Sequence, residues 1–284
     1  MSVNWLERLD SIKTNNKITN GFTSYAPNKP LLLLYLISNL YNKNSSLTNW
    51  ATVNKELGEV LMNYGNKGNV LDPFFRLRTD KLFEVPAIDK SNFTNPQEGG
   101  FIAYLNRENP EGFLPKEFEI FLLQADNMSK VIGIILHKYF PMTIHDMVLT
   151  DLNLPYTYHL PIIPRSETRR ERAFSKTVLS KYKYRCLFCD YYGVLNKKNV
   201  GIDAAHIVMH SRGGSNSIDN GLSLCSLCHR LFDRGALSLD DGFKILISPF
   251  YEGKLNVKIN EPIVNPTANM LIHANWHRRE IFNG

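Results

Sequence analysis

The chain has 284 residues, 43% of them hydrophobic and 21% charged, which is typical of a soluble globular protein of about two domains. The N-terminus shows no apolar core, so we expect no secretory signal peptide. The longest apolar run, residues 31–37, is far shorter than the roughly 20 residues that a membrane-spanning helix needs. These features predict a cytoplasmic protein and argue against the secreted and membrane-spanning classes.

The formal net charge of +6 is concentrated in the second half of the chain. Residues 165–284 hold 18 lysines and arginines against 11 acidic residues, a net charge of +7, whereas residues 1–164 carry −1. The second half is therefore the better candidate for contact with a polyanion.

Three segments of the first half have apolar residues at helical spacing. Pro30 suits the first turn of a helix that we predict over residues 31–40. Residues 50–64 repeat apolar side chains at three- and four-residue intervals and predict a second helix. Residues 118–139 predict one or two further helices, which end before Pro141.

Two short apolar runs follow the second predicted helix. Residues 65–69, rich in glycine and asparagine, predict a turn. Residues 74–78 and 82–85 are separated by three polar residues and predict a β-hairpin. Two helices followed by a hairpin would resemble a winged helix.

A proline-containing linker separates the two predicted domains. Pro155, Pro161 and Pro164 mark it, and we place the boundary near residue 162, which gives domains of residues 1–162 and 163–284. The charged residues 165–172 follow directly. They are interpreted either as the solvated face of a helix or as a positively charged segment that contacts DNA phosphates near the nuclease.

All four cysteines lie in two Cys-x-x-Cys pairs, Cys186 with Cys189 and Cys225 with Cys228. A two-residue gap lets both thiolates of a pair reach one tetrahedral ion at about 2.3 Å. In a reducing compartment such pairs favour metal binding over disulfides. We therefore predict one structural Zn²⁺ with four protein ligands, which leaves no open position for catalysis and contributes directly to folding.

The segment between and after the cysteine pairs has a strand–loop–helix pattern. Residues 201–208 predict a strand, residues 211–217 a loop, and residues 224–235 a short helix closed by Gly235. The strand contains Ala-His-Ile, and the helix contains Cys-His-x-Leu-Phe-Asp-x-Gly. In this combination the chain from about residue 170 to its end resembles the HNH (ββα-metal) nuclease superfamily.

This resemblance implies an α+β protein in which a zinc-stapled ββα-metal nuclease domain follows a mixed α/β DNA-recognition domain. His206 would be the general base for phosphodiester hydrolysis, because an unperturbed histidine has a pKa of about 6.5. His229 would hold a catalytic Mg²⁺ or Mn²⁺ that polarises the phosphate. Asn220 matches the asparagine that bridges loop and strand and orients the base.

One position departs from the HNH pattern. A second metal ligand often precedes the base, but here that position holds Ala205. Asp203 lies on the same strand face, about 6–7 Å away along the chain, and is the candidate substitute. Asp233 is the alternative ligand; without either, His229, water and DNA phosphate would hold the ion. Ala205 also leaves open a catalytically decayed zinc module that binds DNA without cutting it.

Parts of the first domain resemble the N-terminal sulfur-binding domain of McrA-type restriction endonucleases that recognise phosphorothioated DNA. The matching segments are residues 25–34, 73–77 and 80–85. The resemblance implies a small apolar pocket for sulfur beside cations that hold the phosphate charge. The residues carried over are Pro73 and Phe74 for the pocket, and Asn28, Lys29, Arg76 and Arg78 for contact with the DNA backbone or bases.

Asp72 departs from that family's pattern, which has an aromatic residue before the pocket proline. A carboxylate beside a phosphate is unfavourable unless it turns away or pairs with Arg76. The apolar residues 73–75 would equally fit a turn that enters a core strand.

Together the two resemblances predict a DNA endonuclease of the modification-dependent restriction type, acting on double-stranded and phosphorothioated DNA. An HNH nuclease of a mobile element or phage, without modification dependence, is the alternative. Each histidine taken singly would also fit a buried structural residue. Because each chain has one predicted active site, cutting both strands favours a homodimer on DNA.

Overall fold

The computed structural model describes residues 4–14, 16–19, 22–65, 69–91, 93–124, 126–155 and 169–284, with the backbone alone for residues 16–19, 22–25 and 169. The predicted linker beyond Pro155 and the boundary near residue 162 lie outside the described residues. Residues 165–168 of the charged run and residues 66–68 of the predicted turn also lie outside them.

The described residues form helices joined by short antiparallel strand pairs, numbered here in chain order. The helices are α1 (Trp5–Asp10), α2 (Asn28–Lys43), α3 (Trp50–Tyr64), α4 (Leu71–Arg76), α5 (Pro86–Asp89), α6 (Phe101–Glu108), α7 (Lys116–Leu122), α8 (Asn127–Tyr139), α9 (His145–Asp151), α10 (Arg169–Lys181), α11 (Ser226–Asp233) and α12 (Ala268–Glu280). The strands are β1 (Asn16–Thr19), β2 (Phe22–Tyr25), β3 (Thr48–Asn49), β4 (Glu111–Gly112), β5 (Val194–Leu195), β6 (Lys198–Asn199), β7 (Ile202–His206), β8 (Gly221–Cys225), β9 (Leu237–Leu239) and β10 (Ile245–Ile247). None of the described helices is long and apolar enough to cross a bilayer.

The chain divides into two compact units. Unit 1 comprises Met1–Asn15, Ala26–Phe140 and His145–Ile163, and unit 2 comprises Asn16–Tyr25, Pro141–Ile144 and Pro164–Gly284. Neither unit is one continuous stretch of chain, because a strand pair and a short turn from the first half cluster with unit 2.

Unit 1 is built around α2. All the residues from Asn28 to Leu40 are buried, as expected for a helix that other elements surround on every side. The helices α3, α4 and α8 pack against it. The side chain of Asn49 caps α3 by accepting a hydrogen bond from the backbone N–H of Thr52 at 3.0 Å. The predicted helices over residues 31–40, 50–64 and 118–139 are confirmed, the last of them as α7 and α8.

The hairpin predicted from residues 74–85 is wrong. Its first run lies in and after α4, where the backbone N–H of Phe74 donates to the carbonyl of Val70 at 3.0 Å. In its second run, Glu84 forms an isolated bridge with Phe113. Apolar runs this short do not distinguish a helix from a strand by their periodicity. The comparison with a winged helix therefore fails over the described residues of this segment.

Unit 2 is centred on the antiparallel pair β7–β8. Ile202 lies opposite Cys225 at one end of the pair, and His206 lies opposite Gly221 at the other. Helix α11 follows β8 directly, so the predicted order of strand, loop and helix is confirmed. The second strand, β8, was not predicted, and the helix begins at Ser226 because residues 224 and 225 belong to that strand. Helix α10 packs across both strands. A continuous apolar core on this hairpin extends to β9, β10 and α12.

Gly235 closes α11 as predicted. Its φ is +73°, in the left-handed region that side chains with a Cβ rarely adopt. A Cβ at this position would also lie 2.1 Å from the carbonyl oxygen of Ile281. The glycine therefore lets the chain turn from α11 into β9 directly beneath the C-terminal segment.

Candidate active site and metal centres

The four cysteines of the two Cys-x-x-Cys pairs meet in one cluster. Their sulfur atoms all lie within 4.8 Å of one another, and Sγ of Cys189 is 3.7 Å from Sγ of Cys225. Thiolates bound to one tetrahedral ion at about 2.3 Å would be about 3.8 Å apart. The backbone N–H of Leu187 donates to the carbonyl of Ser223 at 2.9 Å, which attaches the first pair to β8.

The electrostatics of this cluster also fit a bound cation. Accepting a hydrogen bond from Cys228 lowers the pKa of Cys186 to about 5, whereas burial raises the pKa of Cys189 to about 12. The pKa of Cys228 is raised as well, first by its hydrogen bond to Cys186 and then by burial. One buried thiolate thus suppresses ionisation of its neighbours unless a cation neutralises them. The donor set is one that could hold Zn²⁺.

The hairpin β7–β8 and helix α11 bring three predicted site residues together. His206 ends β7, and Asp203 lies three residues earlier on the same strand. Nδ1 of His229, in the first turn of α11, lies 3.4 Å from Oδ2 of Asp203, whose side chain is 45% exposed. Ala205 is fully buried in the core of the hairpin, so its position offers no ligand.

His206 is a partly buried histidine whose ring is contacted on one face and at one edge. The ring of Phe174 stacks on it, with centroids 4.0 Å apart and planes 12° from parallel. Its Nε2 lies 2.9 Å from Oδ1 of Asn216. Burial lowers the pKa of His206 to about 4, and the nearby His210 and His229 act in the same direction. The ring is therefore neutral at neutral pH, which is the form that a general base requires.

His229 lies between two carboxylates. Its Nε2 is 3.3 Å from Oδ2 of Asp233, and its Nδ1 faces Asp203. Burial opposes a charged ring, but Asp233 and Asp203 outweigh it and raise the pKa of His229. The hydrogen bond from His229 lowers the pKa of Asp203, whereas burial raises the pKa of Asp233. The side chain of Asp233 is only 3% exposed and also accepts a hydrogen bond from Thr143, so Asp203 is the more accessible carboxylate.

Asn220 is fully buried and clamps the loop between the two strands. Its Oδ1 accepts a hydrogen bond from the N–H of Val208 at 2.7 Å, and its Nδ2 donates to the carbonyls of Val208 and Ser215, both at 2.9 Å. Gly214 allows the loop to close this tightly, because a Cβ there would lie 1.7 Å from the carbonyl oxygen of Val208. Asn220 therefore bridges loop and strand beside the base, while its part in catalysis stays a prediction.

Two of the cations predicted to contact DNA are engaged within unit 1. Nζ of Lys29 lies 2.6 Å from Oδ2 of Asp80, and the two side chains are 11% and 4% exposed. Arg78 pairs with Asp89 and is itself 12% exposed. In each pair the carboxylate partly neutralises the cation within the protein. The two cations are therefore less available to DNA phosphates than unpaired ones would be.

Arg76 is the most exposed of these predicted cations, with 40% of its side chain accessible. Its Nε lies 3.2 Å from Oδ1 of Asp72, so the carboxylate that departs from the family pattern pairs with Arg76. This is one of the two arrangements that the sequence allowed. Asn28 is buried, and its Nδ2 donates to the carbonyl of Asn69 at 3.4 Å.

Phe74 requires a correction. It was predicted to line a pocket for DNA, but it is fully buried in the core of unit 1. Its ring packs edge-on against Trp50 at 5.2 Å and Phe83 at 5.3 Å. The helical backbone of α4 turns this side chain inward, where a strand would have left it on one face of a sheet. Pro73 is buried as well, and its contact with DNA stays a prediction.

Two residues beside His206 were missed in the sequence. One is Phe174 on α10, which is buried and lies one helical turn from the equally buried Val178. Their spacing signals a buried helix face but does not identify His206 as the partner. Asn216 lies in a loop rich in glycine and serine, and no motif distinguishes it there.

Comparison with known proteins assigns both halves of the chain. Residues 3–156 match the family model described as "ScoMcrA-like, DNA sulfur-binding domain". The chain belongs to this family. Residues 186–240 match a second family model, described as "HNH endonuclease". Both resemblances expected from the sequence are thereby confirmed, and the chain is a DNA-hydrolysing nuclease that carries a DNA-binding domain.

Several individual proteins are similar to parts of this chain. Anaredoxin from Nostoc sp. is 33% identical over 69 residues, which cover 24% of this chain and 83% of that protein. The solved sulfur-binding domain of ScoMcrA complexed with phosphorothioated DNA is 20% identical, with a TM-score of 0.46, over 54% of this chain and 97% of that chain. The modification-dependent TagI restriction endonuclease is 28% identical, with a TM-score of 0.31, over 37% of this chain and 36% of that chain. This chain thus spans about a third of TagI.

Proposed function

We propose that the protein is a restriction endonuclease that recognises phosphorothioated DNA through unit 1 and hydrolyses it at His206 in unit 2. The observation that carries the catalytic part is the arrangement around β7 and α11. A neutral, partly buried histidine ends the strand, and a half-exposed aspartate on the same strand faces a second histidine on the helix. The family of the first domain supports the choice of DNA substrate.

His206 would take a proton from the attacking water. Because burial lowers its pKa to about 4, essentially every molecule has the neutral ring at physiological pH. A well-placed general base accelerates a reaction by about 10²–10⁴-fold. Among the described residues, Nδ1 of His206 has no hydrogen-bond partner, which leaves this nitrogen available to the water.

Asp203 and His229 are the residues that would hold the catalytic Mg²⁺ or Mn²⁺. A carboxylate oxygen and an imidazole nitrogen 3.4 Å apart form a suitable but small donor set. When bound, the ion would polarise the scissile phosphate and stabilise the departing 3′ oxygen. With only two protein ligands, we expect tight binding only when DNA phosphate completes the coordination.

Recognition of a phosphorothioate would rest on the difference between sulfur and oxygen. Sulfur is larger and less hydrated, so a dry apolar surface accepts it at a lower desolvation cost. The phosphate still carries a charge, which exposed cations must balance. Arg76 is the best placed of the predicted cations, since it combines exposure with a fixed position beside Asp72.

Cleavage of matched duplexes tests the proposal. Wild-type protein with Mg²⁺ or Mn²⁺ should cut a phosphorothioated plasmid and spare the same plasmid without sulfur. His206→Ala should lose about 10²–10⁴-fold in rate while retaining zinc and DNA binding, because the base acts in the transition state. His277→Gln, a change at a second buried histidine of unit 2, is the matched control and should cut normally at neutral pH.

Each alternative gives a different result in that assay. Equal cutting of both plasmids would mean a nuclease without modification dependence. DNA binding without any cutting would mean a decayed module. Wild-type rates in His206→Ala would refute the assigned mechanism.

The recognition half can be tested separately by DNA binding. Arg76→Ala should weaken binding to phosphorothioated duplex and reduce the slope of log affinity against log salt by about one, as expected for one lost phosphate contact. Arg107→Ala is the control, because Arg107 is 74% exposed and pairs with its neighbour Glu108. An unchanged slope in Arg76→Ala would remove this residue from the interface.

Cutting both strands of a duplex needs two active sites or two successive events. We propose that two chains act together on the DNA, because each chain offers one His206 site. Sedimentation of the protein with and without a phosphorothioated duplex should show two chains per duplex. One chain per duplex, combined with nicked products, would contradict this.

A further inference from the structure

The loop between β7 and β8 contributes a side chain to the edge of His206. Oδ1 of Asn216 lies 2.9 Å from Nε2 of the His206 ring. A carbonyl oxygen can only accept a hydrogen bond, so Nε2 must be the nitrogen that carries the proton. In the neutral ring the lone pair then lies on Nδ1.

The face of the same ring is fixed from the other side of the site. Phe174 on α10 is 5% exposed and stacks on His206 almost in parallel. This contact sets the plane of the imidazole, while the hydrogen bond that Nε2 donates to Asn216 sets its rotation within that plane. A ring held in both ways leaves Nδ1 as its accessible nitrogen and points that nitrogen in one fixed direction.

We propose that Asn216 is a positioning residue for phosphodiester hydrolysis, which selects the Nε2–H tautomer of His206 so that Nδ1 accepts the proton, while Phe174 fixes the plane of the ring. The proposal rests on the proposed function, in which His206 is the general base. It adds to the bridge made by Asn220, which holds the loop backbone and leaves the tautomer of His206 unspecified.

Other groups also act on the protonation of His206 and must be kept constant. Glu171 on α10 favours the charged ring, whereas His210 in the loop and His229 on α11 oppose it. Substitutions at Asn216 leave all three in place. Asn216 is partly exposed in a loop, so its replacement is not expected to disturb the core.

The test compares Asn216→Ala and Asn216→Asp in the full zinc-loaded chain. Asn216→Ala should reduce kcat about 10- to 100-fold, with KM for DNA unchanged, because a misplaced reacting group costs up to about 10²-fold. Asn216→Asp keeps the acceptor but adds a negative charge that stabilises the imidazolium. It should shift the acid limb of the pH–rate profile upward by about 1–3 units. Asn199→Ala, at an exposed asparagine of β6, should change neither quantity.

The tautomer can be read without any cleavage. In ¹⁵N-labelled protein, the His206 resonances are assigned by their loss in His206→Ala. In the wild-type protein, Nε2 of His206 should be protonated and Nδ1 unprotonated. In Asn216→Ala, the His206 ring should be a mixture of the two tautomers. If His206→Ala is inactive but Asn216→Ala keeps both the wild-type tautomer and the wild-type kcat, this inference is wrong while the proposed function stands. If His206→Ala is fully active, the proposed function itself is wrong.

Discussion

His206 and His277 are two histidines of the same unit with similar ring contacts, although His277 is fully buried and His206 only partly so. Each stacks on a phenylalanine, His206 on Phe174 at 4.0 Å and His277 on Phe232 at 3.6 Å. Burial lowers the pKa of both, to about 4 and about 3. By ring stacking and the direction of the pKa shift alone the two residues cannot be told apart.

Their hydrogen bonds separate them. Both nitrogens of His277 have partners, with Nδ1 2.9 Å from Oγ of Ser238 and Nε2 3.1 Å from the carbonyl of Phe232. His206 has a partner at Nε2, and within the described part of the chain none at Nδ1. A histidine that joins elements of the core uses both nitrogens, whereas a base must keep one available. An unpaired nitrogen, more than a shifted pKa, therefore separates the proposed base from the structural histidine.

The largest effect is expected from losing the zinc site of unit 2, the unit that contains both histidines. Cys225→Ser should abolish zinc binding and unfold unit 2, because structural zinc sites supply about 10–16 kcal/mol, as much as the entire stability of a typical domain. Hydrogen exchange of the full chain should show lost protection in β7, β8 and α11. Protection in α2 and α3 is the internal control and should persist. Wild-type protection of β8 in a zinc-free variant would refute the structural role.

The next effect concerns the proposed catalytic ion. Asp203→Ala should raise the Mg²⁺ concentration for half-maximal cleavage at least about tenfold, since even the partners of metal ligands are worth about 10–100-fold in affinity. Calorimetric titration of Mn²⁺ into the protein–DNA complex gives a readout independent of turnover. Asp241→Ala is the control, at a carboxylate that is 92% exposed and pairs with Arg278. An unmoved metal requirement would leave His229, water and phosphate as the ligands.

Local patterns in the sequence predicted the parts of this site that depend on short spacings. The cysteine pairs, the strand that ends at His206 and the helix closed by Gly235 each lie within a few residues of their own signal. The helix over residues 50–64 has the same bounds in the structure, because its apolar periodicity is long enough to be unambiguous.

Those local patterns could not predict contacts between residues that are far apart in the sequence. Lys29 pairs with Asp80 across 51 residues, so a cation predicted to meet phosphate is bound internally. Phe174 reaches His206 from a separate helix, and no spacing connects them. The segment that begins at Phe74 was predicted to be a strand but forms part of α4, because so short an apolar run fits either a helix or a strand. Such outcomes are decided by which surfaces pack together, and a single sequence does not contain that information locally.

A smaller effect is expected at Asn220. Asn220→Ala removes two buried hydrogen bonds to Val208 and a partly buried one to Ser215, and it leaves the N–H and carbonyl of Val208 without these partners. Each unsatisfied buried group costs about 1–3 kcal/mol, so unit 2 should be destabilised but still folded when zinc is bound. Cleavage should slow without a change in Mg²⁺ requirement, because the two proposed metal ligands, Asp203 and His229, are unchanged. A raised Mg²⁺ requirement would show that the loop also shapes the metal site.

The smallest effect tests His277 as the structural member of the pair. Its folded-state pKa of about 3 lies below the unfolded value of about 6.5, so below pH 6.5 the unfolded chain takes up a proton that the folded chain excludes. The free energy of unfolding should therefore fall as the pH drops from about 6.5 towards 3, by about 1.4 kcal/mol per pH unit. His277→Gln removes this contribution.

Denaturant unfolding at pH 7.0 and pH 5.5 measures the difference, with about 1 kcal/mol less pH dependence expected in His277→Gln than in wild type. Burial also lowers the pKa of His206 and His273, but both residues remain in the two proteins and cancel in the comparison. His210→Gln, at an exposed position in the loop, serves as the substitution control. Equal pH dependence in wild type and His277→Gln would mean that the folded protein admits a proton at His277. The two histidines would then differ in a second property besides the unpaired Nδ1 of His206, because only the ring of His206 would be kept neutral by its surroundings.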